Sequence, residues 1–227
     1  MTSDENSGSF ASPPCFMHEV DPAYSGLAAE TDPVQAEDVK RWRKAERERL
    51  IAARMELGPT LRHDYDARIA SVLGDLIGPA EGKTVAAYWP FRGEPNLHPF
   101  LKELTAAGAQ CALPVVVKLG QPLLFRAWSP GDPTTRGVWN IPIPEESAPI
   151  VQPDVVISPL VGFDPSGYRL GYGGGFYDRT LAGMTEKPRV FGVGYALAAI
   201  NTIFPQWHDI AMDWVVTEEG VAVSNGP

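Results

Sequence analysis

The sequence predicts an α/β fold in which a mostly parallel sheet is covered by helices on both faces. Three observations carry this expectation. Short apolar runs rich in Val and Ile recur after residue 80, as in "DVVISPLVGF" (154–163), and near-continuous apolar runs mark strands buried on both sides. Segments with helical spacing lie between several of these runs, and alternating strands and helices pair in parallel through crossovers. A length of 227 residues, 44% hydrophobic and 21% charged, suits one domain with a full core better than two.

Taken in order, residues 1–37 hold Ser, Pro, Gly and acids without steady periodicity and read as an extended or partly disordered arm, leaving 38–227 as the domain. Cys15 and His18 in this arm have the spacing of a metal pair. No second pair at matching spacing accompanies them, so packing through Phe16, Met17, Val20 and Tyr24, or plain disorder, is preferred. Asp38 is the expected cap of a helix through "VKRWRKAERERLIAARMEL", which Gly58-Pro59 stops. Lys40, Arg43, Arg47 and Arg54 form one stripe on that helix, either a solvated face or a surface for an anion. A second helix is expected over Leu61–Ile77, between Thr60 as cap and Gly78-Pro79 as stop.

Strands are expected at 84–89, 111–117, 123–128, 154–163, 189–195 and 213–217. Between the first two, "NLHPFLKELTAAG" reads as a helix with Asn96 as cap and Gly108 as stop, and Cys111 falls at a core position of the strand that follows.

Charge and composition narrow the function. The formal charge is −9, and eight of the 28 acids fall within the first 38 residues, where there is no Lys or Arg. The remainder is nearly neutral, with 20 acids against 19 bases. Such a chain argues against a nucleic-acid partner while leaving room for a local basic site. No apolar stretch approaches the roughly 20 residues of a membrane span, and the start resembles neither a secretory signal nor a transit peptide. With only two cysteines, a disulfide framework is not expected and a cytoplasmic setting is.

The chemistry concentrates in "RLGYGGGFYDR" (169–179), where four glycines fall within five residues, after a buried strand and before a helix. A strand, a glycine turn and a helix N-terminus together make an anion site, since backbone N–H groups point outward and no Cβ blocks approach. The pattern is neither GxGxxG, because Phe176 takes the last position, nor a P-loop, because no GK[ST] follows. A tight turn needing positive φ is the competing reading. The flanks favour the anion: Arg169 offers a fork of donors, Tyr177 a hydroxyl and Asp178 a hard carboxylate for magnesium.

Phe163 to Arg179, "FDPSGYRLGYGGGFYDR", resembles the signature FD-x-x-G-x-RLG-x-G-x-GYYDR of the 5-formyltetrahydrofolate cyclo-ligase family, also called 5,10-methenyltetrahydrofolate synthetase, with Phe176 replacing one tyrosine. "KRWR" (40–43), "YWPFRGE" (88–94) and "PQWHDIAMDWVVTEEGV" (205–221) are similar to further family segments in the same order. The resemblance spans about residues 38–223 and implies a single three-layer domain of the NagB/RpiA/CoA transferase-like kind. It also implies an ATP- and Mg2+-dependent conversion of 5-formyltetrahydrofolate to 5,10-methenyltetrahydrofolate with release of ADP and phosphate. In that reaction the formyl oxygen is phosphorylated, and attack by N10 then closes the ring as phosphate leaves.

Carried over residue by residue, the resemblance assigns ATP to Lys40, Arg43, Arg169, Gly171, Tyr172, Gly173, Gly174, Gly175, Phe176 and Tyr177. It gives catalysis to Arg169, Tyr177 and Asp178, magnesium to Asp178 and Asp209, and the reduced pterin to Trp89 and Glu94. Alone, Trp89 reads as core, Glu94 as surface and Asp209 as part of an ordinary turn. His208 is given a structural or hydrogen-bonding role. A monomer binding only small molecules is implied. The alternatives are a non-catalytic folate- or nucleotide-binding relative, or an ATP-dependent enzyme acting on another formyl or amide substrate. Pro95 and Asn96, which stand where the family more often has an apolar residue and an acid, are the feature that would permit the latter.

Overall fold

The computed structural model describes residues 33–226. Most of the predicted arm, with Cys15 and His18, lies outside the described residues. The first helix, α1 (Pro33–Met55), starts upstream of its expected cap. A proline's fixed φ suits the first helical position, so Pro33 begins the helix and Asp38 sits inside it, paired with Arg41 one turn on. The next helix, α2 (Pro59–Ile77), repeats the device: Gly58 is the N-cap, Pro59 opens the helix, and Thr60 is inside rather than capping. Gly78 ends it at φ 67°, with its N–H donated to Gly74 O at 3.0 Å.

The remaining elements are β1 (Thr84–Ala86), α3 (His98–Ala106), β2 (Gln110–Val115), β3 (Leu124–Ala127), β4 (Thr134–Arg136), β5 (Pro142–Pro144), β6 (Val155–Pro159), β7 (Gly162–Phe163), β8 (Arg169–Leu170), α4 (Phe176–Gly183), β9 (Arg189–Val193), β10 (Trp214–Thr217) and β11 (Gly220–Ser224). The seven-stranded sheet has the order β11-β10-β9-β6-β1-β2-β3. Its five inner strands pair in parallel, while β11 and β3 close the edges antiparallel. The mostly parallel α/β architecture is therefore as the sequence predicts.

Alternation along the strands explains the continuous apolar runs. Val155 and Ile157 face one core with Ile69 and Leu73 of α2 and Leu101 of α3, whereas Val156 between them faces the other, with Leu181 of α4. A third cluster, Leu50, Val161, Leu170 and Ile203, seats α1 against the β7–β8 hairpin. Cys111 is buried in the first core, as expected. Three differences from the predicted elements have local causes. The run 154–163 divides because Leu160 and Val161 turn from Val193 O to Leu170 O. The chain leaves the sheet after β1 through Arg92 and Gly93, both at positive φ. Asn96 acts one residue early, its Oδ1 accepting the His98 N–H at 3.1 Å, so Leu97 takes the cap position. Among the described residues, no helix is long and apolar enough to cross a membrane.

Candidate active site

A cleft of about 430 Å³ opens at the carboxyl ends of the inner strands, where ligands enter open α/β sheets. Arg43, Arg47, His208 and Asp209 line one end, Trp89 and Glu94 the other, and residues 169–178 run between them.

The glycine segment is anchored from behind. Asp164 in the β7–β8 turn accepts N–H groups from Ser166 and Tyr168, both at 3.1 Å, and from Ile203 at 3.2 Å. That hairpin aims Arg169 inward, only 7% exposed, with Nη2 donating to Asp178 Oδ1 at 2.8 Å and its guanidinium 5.3 Å from the Tyr177 ring. Gly173 (φ 91°) and Gly175 (φ 60°) take left-handed conformations, and Gly175 is the N-cap of α4. A Cβ on Gly175 would meet Arg179 at 2.8 Å, and that arginine also donates to Gly174 O. The turn reading, which needs positive φ, therefore holds at Gly173 and Gly175.

Among the described residues, four buried side-chain polar atoms have no partner, His98 Nε2, Arg179 Nε, Arg169 Nη1 and the Tyr177 hydroxyl, and the last two belong to cleft-lining residues that flank the glycines. Buried donors are rarely left unpaired, and Tyr177 stands in the first turn of α4 with the Arg169 guanidinium beside its ring, a setting complementary to an anion. Burial keeps the Tyr177 hydroxyl protonated by pushing its pKa far up, so it serves as a donor.

The basic stripe of α1 divides. Arg43 donates to Ile203 O and Phe204 O at 2.9 Å each and pairs with Asp209, while Arg47 donates to Gly171 O at 2.6 Å. Desolvation, then the neighbouring Arg43, draws the Arg47 pKa down. Lys40 points elsewhere: its side chain is 78% exposed, it pairs with Glu37, and it is not among the cleft residues. Asp178 also accepts the Ile210 N–H at 3.2 Å, and Asp209 the Gln206 N–H at 2.7 Å. His208 lies 3.9 Å from Asp209, too far for a hydrogen bond, and half-exposed.

At the other end Glu94 is buried. Its Oε2 accepts the Phe91 N–H and its Oε1 the Tyr172 hydroxyl, both at 2.9 Å, with Arg54 Nη2 at 4.0 Å. Desolvation raises its pKa to about 7 against the pull of Arg54. Trp89 stands edge-on to His98 (4.4 Å) and Trp128 (5.6 Å), so it is both core and cleft wall. Pro95 and Asn96 serve the frame, Pro95 O accepting the Tyr88 hydroxyl at 2.9 Å, and neither lines the cleft.

The model of the 5-formyltetrahydrofolate cyclo-ligase family matches residues 39–218. The chain belongs to this family. The 5-formyltetrahydrofolate cyclo-ligase of Haemophilus influenzae is 28% identical over 165 residues, covering 70% of this chain and 88% of that protein. That of Escherichia coli K12 is 34% identical over 144 residues, covering 61% and 79%. Among solved structures, the Aquifex aeolicus 5,10-methenyltetrahydrofolate synthetase superposes with TM-score 0.68 at 28% identity, covering 79% of this chain and 91% of that one.

Three residues of this cyclo-ligase family member join the cleft network although the family resemblance assigned them no role. Arg47 and Arg54 belong to the stripe read as either a solvated face or an anion surface, and Arg54 is 3% exposed and donates to Arg92 O, Leu160 O and the Tyr172 hydroxyl. Trp139 lines the cleft from the β4–β5 loop, at φ 57° and 57% exposed, with its ring edge-on to Phe176 at 6.1 Å. No spacing in "RGVWNIP" singles it out.

Proposed function

We propose that the chain converts 5-formyltetrahydrofolate to 5,10-methenyltetrahydrofolate using ATP and Mg2+, releasing ADP and phosphate. The observation that carries this is the pair of unpartnered donors, Arg169 Nη1 and Tyr177 Oη, under a glycine loop that shares one cleft with the buried carboxylate Glu94. One end suits a triphosphate and the other the N–H groups of a reduced pterin.

In this reading Gly171 to Gly175 present backbone N–H groups to the phosphates, while Arg43 and Arg47 add positive charge at the outer end. Arg169 and Tyr177 donate to the transferring phosphoryl group, where positioning and charge neutralisation supply most of the rate. Glu94 accepts from the pterin and Trp89 walls it, which orients the formyl oxygen toward the loop. Nothing assigns Lys40 a phosphate from its exposed position, and Arg47 takes its place in the proposed set.

Among the described residues, no three His, Cys, Asp or Glu side chains cluster as a metal centre. Magnesium characteristically takes one or two carboxylates and completes its shell with phosphate oxygens and water, so Asp178 and Asp209, both in the cleft, fit it. Bound there, the ion would neutralise phosphate charge. Turnover of 5-formyltetrahydrofolate with ATP and Mg2+, read as near-ultraviolet absorbance of the methenyl product with ATP omitted as control, tests the whole reading. Absence of ATP-dependent product would sink it.

Two predictions follow from the site's chemistry. Asp178→Asn keeps the oxygen that accepts from Arg169 and Ile210, so the fold survives, but the charge is lost. Turnover at limiting Mg2+ is expected to fall at least about tenfold, with partial recovery at high Mg2+. Unchanged Mg2+ dependence would remove Asp178 from the metal role. The second concerns pH. A pterin N–H donor needs the ionised carboxylate, and Glu94 ionises in the free protein near 7. The KM for the folate should therefore rise as pH falls below about 7 and level off above it. A KM flat from pH 5 to 8 would mean that Glu94 does not receive the pterin.

A further inference from the structure

Tyr172 sits within the glycine loop, between Gly171 and Gly173, yet its hydroxyl bonds the buried carboxylate of Glu94. It donates to Glu94 Oε1 at 2.9 Å and accepts from Arg54 Nη2 at 2.7 Å, and its ring lies 5.8 Å from that of Phe91. The sequence reading placed Tyr172 with the ATP residues, but its side chain is spent on the carboxylate assigned to the pterin. The geometry points to Tyr172 as a positioning residue that couples the two ends of the cleft, so that a folate on Glu94 steadies the loop for the nucleotide, and the reverse.

This coupling rests on the cyclo-ligase reading of the cleft. Ordering the loop is costly: Gly173 and Gly175 hold left-handed φ, and glycine backbone carries the most conformational freedom to lose. Among the described residues, its side-chain ties are Arg47 to Gly171 O, Arg179 to Gly174 O, and Tyr172 itself. Of these, the Tyr172 tie is the one made directly to the proposed pterin acceptor.

The tie also responds to what that acceptor is doing. Ligand N–H groups donating to Glu94 hold it ionised, and an O–H donor bonds an anionic oxygen about twice as strongly as a neutral one. The charged and titratable groups facing Glu94 are Arg54 from α1, Tyr172 from the loop, Tyr88 from the segment after β1 and Tyr177 from α4. Burial holds both Tyr88 and Tyr177 neutral, which leaves Arg54 and Tyr172 as the groups that answer the carboxylate's charge. A firmer Tyr172 anchor fixes the loop backbone that would meet the phosphates, and coupling of two binding equilibria is reciprocal.

The test measures Kd for 5-formyltetrahydrofolate by calorimetry, with and without a saturating non-hydrolysable ATP analogue and Mg2+, on the full chain and on Tyr172→Phe. In the unaltered protein the analogue is expected to tighten folate binding at least about fivefold. Tyr172→Phe keeps the ring against Phe91, and whatever its affinity for each ligand alone, its coupling factor falls to within about twofold of one. A variant that retains the full factor, or an unaltered protein with a factor of one, overturns the coupling and leaves the cyclo-ligase reading standing. An unaltered protein that binds the analogue but no folate defeats the reading and the coupling with it. Amide exchange supplies an independent check without mutation: the folate alone should slow exchange across residues 171–175, and unchanged exchange there overturns the proposal.

Discussion

Replacing Arg169 by Lys is expected to lower kcat by about 10²- to 10³-fold while moving the KM for the folate by less than about threefold. The two nitrogens of the guanidinium fork do different things. Nη2 is committed to Asp178 at 2.8 Å, whereas Nη1 is buried and unpartnered under the glycine loop. An ammonium can replace the first contact and keeps the positive charge, but it has no rigid second arm. The lost interaction is therefore the one proposed to strengthen as phosphoryl charge spreads onto its equatorial oxygens, and such a loss appears in kcat. Because the side chain is 3% exposed, thermal melting must accompany the kinetics. A folded Arg169→Lys enzyme with kcat within about threefold of the parent would show that Nη1 does not act on the phosphoryl group.

The parts of this site that were legible in the sequence are those written on one contiguous segment. Arg169 to Asp178 place a cation, open backbone, a hydroxyl and a carboxylate within ten residues, and local chemistry alone suggests an anion. The strands were legible because burial on both faces removes polar residues from both, as in Val155, Val156 and Ile157. What spacing could not disclose is pairing across the chain. Arg43 meets Asp209 166 residues away, and only the family resemblance brought those two segments together. Arg54 has the helical spacing of a solvated stripe, but its partners come from Arg92, Leu160 and Tyr172, none of which a helical pattern can reveal. The edge strand β11 lacked a signal for the same physical reason: Gly220, Val221 and Ala222 are not buried, and its place depends on pairing with β10.

Glu94 illustrates how one buried carboxylate can oppose stability and serve binding. Its pKa lies near 7 in the fold against a reference of 4.5, so the folded protein holds the proton more tightly than the unfolded chain does. Its contribution to stability is thus fully present below about 4.5 and is lost as pH rises through about 7. Above that pH the anion stands in a desolvated site, answered by Phe91 N–H, the Tyr172 hydroxyl and Arg54. Glu94→Gln removes the charge at nearly constant volume. The expected result at pH 8 is a loss of folate affinity of at least about 10²-fold, the equivalent of two charged hydrogen bonds weakened at once. Stability should change by no more than about 1 kcal/mol, because relief from desolvation offsets the lost attraction to Arg54. Glu94→Leu behaves differently: it leaves the buried Arg54 charge without its counter-charge and the Phe91 N–H without an acceptor, and should destabilise by about 3–5 kcal/mol. Calorimetric folate titration and denaturant melts of both variants separate the two roles. Folate affinity retained in Glu94→Gln would dismiss the pterin contact, and a Glu94→Leu protein as stable as its parent would mean that Arg54 does not depend on this carboxylate.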